Sequence, residues 1–269
     1  MFPKKRMYEV IPATLVWGAF LVAIILSFLE PLWAIYFIIV FDLLWLFRVL
    51  YFVTYLIISW RHFRRTTRVD WYEQLVKIQN WERIHHLIFL PTYHEPLAVI
   101  RETMHTLLKV QYPKKKFIIV LAGEERDQEQ FLANAAVIEA EFGSQVHSIL
   151  VTVHPKDLPD EIPGKGSNLH YAGQKAQELI DKLGIPYEDV VVSSFDVDTC
   201  VHSRYFAYLT YLYLTHPTPT RTSYQPVALY SNTIWDAPAP VRVAAFGTTF
   251  WLMTELARPE RLFTFSSHS

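Results

Sequence analysis

Residues 11–29 (IPATLVWGAFLVAIILSFL) carry no charged side chain. After Glu30-Pro31 a second apolar stretch covers 32–60, with Asp42 and Arg48 as its only charges. About 20 apolar residues cross the hydrocarbon core of a bilayer, where every backbone polar group must be satisfied within the segment. Both stretches are therefore predicted as transmembrane helices. Lys4, Lys5 and Arg6 precede the first, and Arg61, Arg64, Arg65 and Arg68 follow the second. Positive flanks mark the cytoplasmic side, and here both ends of the hairpin agree. A cleaved signal peptide also begins with basic residues, but no small-residue cleavage site follows and a second span comes at once.

The expected organisation is a transmembrane hairpin with basic flanks over 1–68 and a cytoplasmic domain over 69–269 of a multi-pass cell-membrane protein. The basic cluster could also touch anionic membrane lipid. Asp42 and Arg48, six positions apart, do not share a helix face. Charge at that depth is costly, so Asp42 is expected to face the other span or a partner and Arg48 to snorkel. The chain is 51% hydrophobic and 15% aromatic, with the excess concentrated in the spans. A net charge of −1 offers no electrostatic case for nucleic acid. A single cysteine, Cys200, excludes internal disulfides and suits a reducing compartment.

Beyond the spans, about 200 residues suffice for one domain with a sizeable core. Ile84–Leu90, Phe117–Ala122, Val146–Val153 and Val190–Phe195 are continuous apolar runs, the pattern of strands covered on both faces. Between them, apolar residues recur at helical spacing: Leu97 to Leu108 after Pro96, Phe131 to Phe142 before Gly143, and Leu169 to Leu183 before Gly184 and Pro186. This alternation predicts an α/β domain with a mostly parallel sheet. Ligands of such sheets bind at the carboxyl ends of the strands.

Those ends carry, in order, Pro91-Thr92-Tyr93-His94-Glu95; Gly123-Glu124-Glu125; a loop with Lys165 between Gly164 and Gly166; and Asp196-Val197-Asp198. Two carboxylates one residue apart on an extended segment point the same way and repel unless a cation lies between them. Magnesium or manganese (Mg2+ or Mn2+) takes oxygen ligands and bridges carboxylates to phosphates. An aromatic ring, carboxylates, a lysine and such a metal together suit a nucleoside diphosphate.

The runs LPTYHEP at 90–96, GKGSN at 164–168 and FDVD at 195–198 resemble, in order and spacing, the family 2 inverting glycosyltransferases. The likeness is to the membrane-bound members that include cellulose and hyaluronan synthases, and it covers roughly residues 84–269 plus the two spans. It implies a nucleotide-sugar-binding domain of the GT-A type. In it Pro91, Thr92, Tyr93 and Glu95 embrace base and ribose, Glu124 contributes weakly to the base, and Lys165 lies near the diphosphate. Asp196 faces the nucleotide sugar and, with Asp198, the metal. Ser266, Ser267 and His268 line the acceptor side. The partners implied are a nucleotide-sugar donor, a UDP-sugar by expectation, and a glycan or lipid-linked acceptor.

Two departures stand out. The family places an acidic residue directly at the end of the second strand, where this chain has Ala122-Gly123 before Glu124. An inverting transferase also needs a general base for the acceptor hydroxyl. The acids after Asp198 are Asp236, Glu255 and Glu260, none in a matching context. The expectation is a fragment whose base lies beyond Ser269.

Two other functions compete. A haloacid dehalogenase-type phosphatase uses an Asp-x-Asp-x-Thr motif, but here Thr199 comes one place early and three strand–helix units precede it. A membrane-tethered nucleotide-sugar-binding protein without catalysis would keep the same donor residues. His85, His86, His94, His105, His147, His154 and His170 lack metal-ligand spacing. Cys200 reads as a packed small residue rather than a nucleophile. Residues 238–257 read equally as a core helix or as an interfacial helix on the bilayer.

Overall fold

The computed structural model describes residues 4–159, 161–162, 164–230 and 234–261. It divides into two compact units, Met1–Ile58 and Ser59–Ser269. Helix α1 (Lys4–Leu29) and helix α2 (Pro31–Thr66) are long and apolar enough to cross a membrane. Pro31 opens α2, where its missing N–H would have no intrahelical partner anyway. Neither helix buries any of its most apolar window inside the protein. At 1.5 Å per residue α2 would extend about 54 Å, beyond a hydrocarbon layer of about 30 Å. Arg61, Arg64 and Arg65 of the basic cluster fall in its last turns, where Arg64 lies 5.5 Å from the centre of the Trp60 ring, and Arg68 follows the helix.

In the second unit the elements alternate as the apolar runs predict. They are α3 (Trp71–Leu75), β1 (His85–Pro91), α4 (Leu97–Lys109), β2 (Phe117–Glu124), α5 (Gln128–Phe142), β3 (Ser148–His154), α6 (Lys165–Leu183), β4 (Val190–Ser194), α7 (Tyr205–Thr215) and α8 (Ala239–Ala257). Each expected strand is present, shifted by one or two residues at its ends. The sheet is entirely parallel, in the order β3-β2-β1-β4.

Alternate strand residues feed two cores. Ile88, Leu90, Ile119 and Leu121 pack with residues of α4, α5 and α7, including Met104, Phe131 and Phe206. Leu87, Phe89, Ile118 and Val120 pack against Ala172, Ala176 and Ile180 of α6. Small alanines let α6 sit close on the sheet. Two covered faces explain why these strands read as unbroken apolar runs.

The chain entering this unit is tied to α7. The Trp71 indole donates to Thr66 O at 2.8 Å, and its ring lies 4.2 Å from that of Tyr208. Arg204 Nη1 donates to Thr67 O and Val69 O at 3.0 and 3.1 Å. Asp70 caps α3 through the N–H groups of Tyr72 and Glu73.

His86 is the one fully buried imidazole that β1 contributes to the first face. It is 0% exposed, lies among Tyr112, Phe117 and Phe206, and has Nε2 2.8 Å from Thr210 Oγ1. Burial, and then the neighbouring His85, push its pKa down to about 3. The folded ring therefore stays neutral where the unfolded ring, with its ordinary pKa of 6.5, takes up a proton. Stability is predicted to fall as pH drops below about 6.5, by about 2 kcal/mol at pH 5. Denaturant unfolding in detergent at pH 7 and pH 5 should show this loss in the parent protein and not in His86→Gln. Equal pH dependence in both would remove His86 as the cause.

Candidate functional site

The strand order reverses once. The chain steps outward from β1 to β2 to β3, then crosses back through α6 to lay β4 on the other side of β1. The carboxyl ends of β1 and β4 therefore border a topological switch point, where neighbouring connections leave in opposite directions and open a crevice. Register places the candidate residues at its rim. Phe89 pairs with Ser194, and Phe195 N donates to Phe89 O at 3.1 Å, so Asp196 leaves the sheet beside Pro91 and Thr92.

Lys165 and Asp196 meet there: the Lys165 ammonium donates to Asp196 Oδ1. Both are part-exposed, at 34% and 51% of their side chains. The cation demanded by the carboxylate pair is thus supplied, at least beside Asp196, by the chain itself. Lys165 does not sit in a loop, as its glycine neighbours suggested. It is the first residue of α6, because Gly164 turns the chain at φ 153° into the helix. That backbone favours glycine. The N–H groups of its first turn and the ammonium share one positive end. Asn168, 1% exposed, pins the start to the sheet by donating to Ala122 O at 2.8 Å.

Asp196 and Asp198 do not lie on an extended segment either. Thr199 N donates to Asp196 O at 2.9 Å, closing a turn. Both aspartates are exposed, and Val197 between them is 5% exposed in the core. Turn geometry, not strand alternation, decides where the two carboxylates point. The Thr103 hydroxyl on α4, itself 2% exposed, donates to Val197 O and fixes that turn from below. Among the described residues no three His, Cys, Asp or Glu side chains form a ready-made metal cluster.

The segment after β1 is also tied down. Thr92 N donates to Ala122 O at 2.9 Å, and Glu95 accepts from Tyr93 N. His94 adopts φ 62° because Asp127 holds it twice, from its N–H at 2.8 Å and at Nδ1 at 3.0 Å. Tyr93 is left 42% exposed, with its ring 4.1 Å from that of His94.

Glu124 is the last residue of β2, paired with His154 of β3, so the acidic group stands at the strand end after all. Gly123 precedes it because a Cβ there would come within 2.3 Å of the Phe131 ring. Glu124 is 6% exposed and paired with Arg126, whose guanidinium lies 5.0 Å from the Tyr93 ring centre. Glu124 and Arg126, but not Tyr93, line a small pocket with His154, Lys156 and Glu161. Glu161 is 2.9 Å from His154 Nε2, and Glu125 accepts from Lys156 N at 2.8 Å, so both hold the loop leading to α6.

Thr103, Arg126 and Asp127 were not singled out from the sequence, and His154 entered only among histidines without metal-ligand spacing. Arg126 and Asp127 do follow the second strand end directly. Thr103 carries no such signal, since it acts through a contact 94 positions away. Cys200 is exposed rather than packed. Although the residue is exposed, partial desolvation of its thiol, then Glu102 and Asp198, raise its pKa, which disfavours a nucleophilic thiolate. Glu255 is 5% exposed and held by Arg258 at 2.8 Å and Arg261 at 3.4 Å. Ser266, Ser267 and His268 lie outside the described residues. Neither a protein-family model nor a curated protein sequence matches this chain.

If Thr103 holds the aspartate turn, Thr103→Val should cost about 1 kcal/mol of stability, which Thr103→Ser restores. Denaturant unfolding in detergent checks this, and unchanged stability in Thr103→Val would remove the hydroxyl as the tie.

Proposed function

We propose that the chain is a membrane-anchored glycosyltransferase of the family 2 type, built to hold a nucleotide-sugar donor at the crevice between β1 and β4. The observation that carries this reading is the Lys165–Asp196 pair at the switch point, joining residues 31 positions apart at the rim beside Pro91 and Thr92. In this reading the Tyr93 face takes the base, and Pro91, Thr92 and Glu95 shape the turn around the ribose. Glu124 accepts from the base edge. Lys165 and the open start of α6 receive the diphosphate, trading the Asp196 contact for phosphate oxygens.

Asp196 and Asp198 suit Mg2+ or Mn2+ by donor chemistry. Hard cations of this kind accept one or two protein carboxylates and complete their shells with phosphate oxygens and water. Such an ion would stabilise charge building on the departing diphosphate. The lysine ammonium adds a second point of positive charge at the same end, and the buried Val197 keeps the aspartate turn from drifting away. The group that deprotonates the acceptor is not assigned to any described residue. Glu255 is already committed to two arginines.

In this reading the flanking positive charges orient the α/β unit toward the cytoplasm. Helix α8 fits a lipid-facing role in part. It buries Leu252 and Met253 near its end, yet exposes Val241, Val243, Phe246, Phe250 and Trp251. An acceptor that is a growing glycan or a lipid-linked sugar would suit such a setting.

Calorimetric titration of the full chain in detergent with uridine diphosphate and Mn2+ tests the reading. Binding is expected, with at least a tenfold loss in Asp198→Ala and Lys165→Ala. Equal binding by Asp198→Ala would remove the metal assignment, and no binding by the parent chain would remove the donor site.

A further inference from the structure

Two surfaces that the proposed site offers to a base, the Tyr93 ring and the Glu124 carboxylate, are both contacted by one side chain, and the Tyr93 ring also lies 4.1 Å from that of His94. Arg126 donates to a single oxygen of Glu124 from Nε, at 2.9 Å, and from Nη2. The same guanidinium lies 5.0 Å from the centre of the Tyr93 ring. Glu124 is 6% exposed, so it is a buried acceptor that needs a donor, and Tyr93 is the exposed ring at the end of β1. A nucleobase bound between these groups needs a flat partner for its π-face and an acceptor for its imide N–H. A guanidinium presents both features itself, a planar face and N–H groups along one edge.

We infer that Arg126 is a built-in substitute for the nucleobase, and that a donor nucleotide binds by displacing it from Tyr93 and Glu124. The inference rests on the donor-site reading above and adds a residue that decides which bases enter. Leaving Glu124 buried and unpaired is costly, so the incoming base must give it a hydrogen bond in place of the guanidinium. Uracil does so through N3–H. A base or a mimic without a suitably placed donor loses the exchange. The position of Arg126 two residues after Glu124, just past the strand end, gives it room to swing outward, because its side chain is 40% exposed. Without nucleotide, the arrangement keeps both the ring and the carboxylate satisfied.

The prediction runs against simple electrostatics. Removing a cation near a phosphorylated ligand ordinarily weakens binding, whereas removing a competitor tightens it. Full-length protein in detergent is titrated with uridine diphosphate plus Mn2+, and separately with uridine, which carries no charge. Arg126→Ala and Arg126→Lys are compared with the parent chain, with thermal melting to confirm folding. Both variants should bind both probes about three- to tenfold tighter, since lysine keeps the charge but not the planar fork. Unchanged or weaker binding by Arg126→Ala, with the parent chain binding normally, overturns the inference and leaves the donor site standing. Absence of binding by every form overturns both.

Discussion

The reversal of strand order at β1 is the constraint from which the rest of the α/β unit follows. Because β4 returns to the far side of β1, the connection through α6 has to cross the opposite face of the sheet. Its first residue then starts from the carboxyl edge, where β4 also ends. Lys165 and Asp196 come into contact for that reason, not because of any local preference. Two cores, one on each face, hold the crossing in place.

Around this crevice the polar groups support one another. Ala122 O accepts from both Thr92 N and the Asn168 amide, joining the ends of β1 and β2 to the start of α6. Asp127 fixes His94 in a backbone conformation that a non-glycine residue rarely adopts. Thr103 reaches up from α4 to hold the peptide between the two aspartates. A site on strand-end loops gains precision when each loop is tied to a rigid element, and here the ties through Thr103 and Asn168 are buried hydrogen bonds. The chain leaving α2 joins the same scheme, with Arg204 and Trp71 holding residues 66–69 on α7.

Much of this was legible from residue order. Unbroken apolar runs gave four strands because both sheet faces are covered, and helical spacing gave α4, α5 and α6 with their ends near Gly143 and Gly184. Local geometry was less legible. The aspartate pair looked extended because it follows a strand, but Thr199 closes a turn there. Lys165 looked like a loop residue between glycines, yet Gly164 is the point where the helix begins. The absence of an acid at 122 and 123 looked like a gap, but Phe131 leaves no room for a side chain at Gly123 and the strand runs on to Glu124.

What residue order alone determined was the set of local identities: two helices long and apolar enough to span a bilayer, an alternating strand–helix chain, and polar groups at each strand end. Period, length and charge are properties of short windows, so they can be read from one. Which strand lies beside which, and hence which strand ends share a crevice, depends on contacts across scores of residues. The pairing of Lys165 with Asp196, the reach of Thr103 to Val197, and the guanidinium of Arg126 over Tyr93 belong to that level. They exist only once the sheet has closed in the order β3-β2-β1-β4.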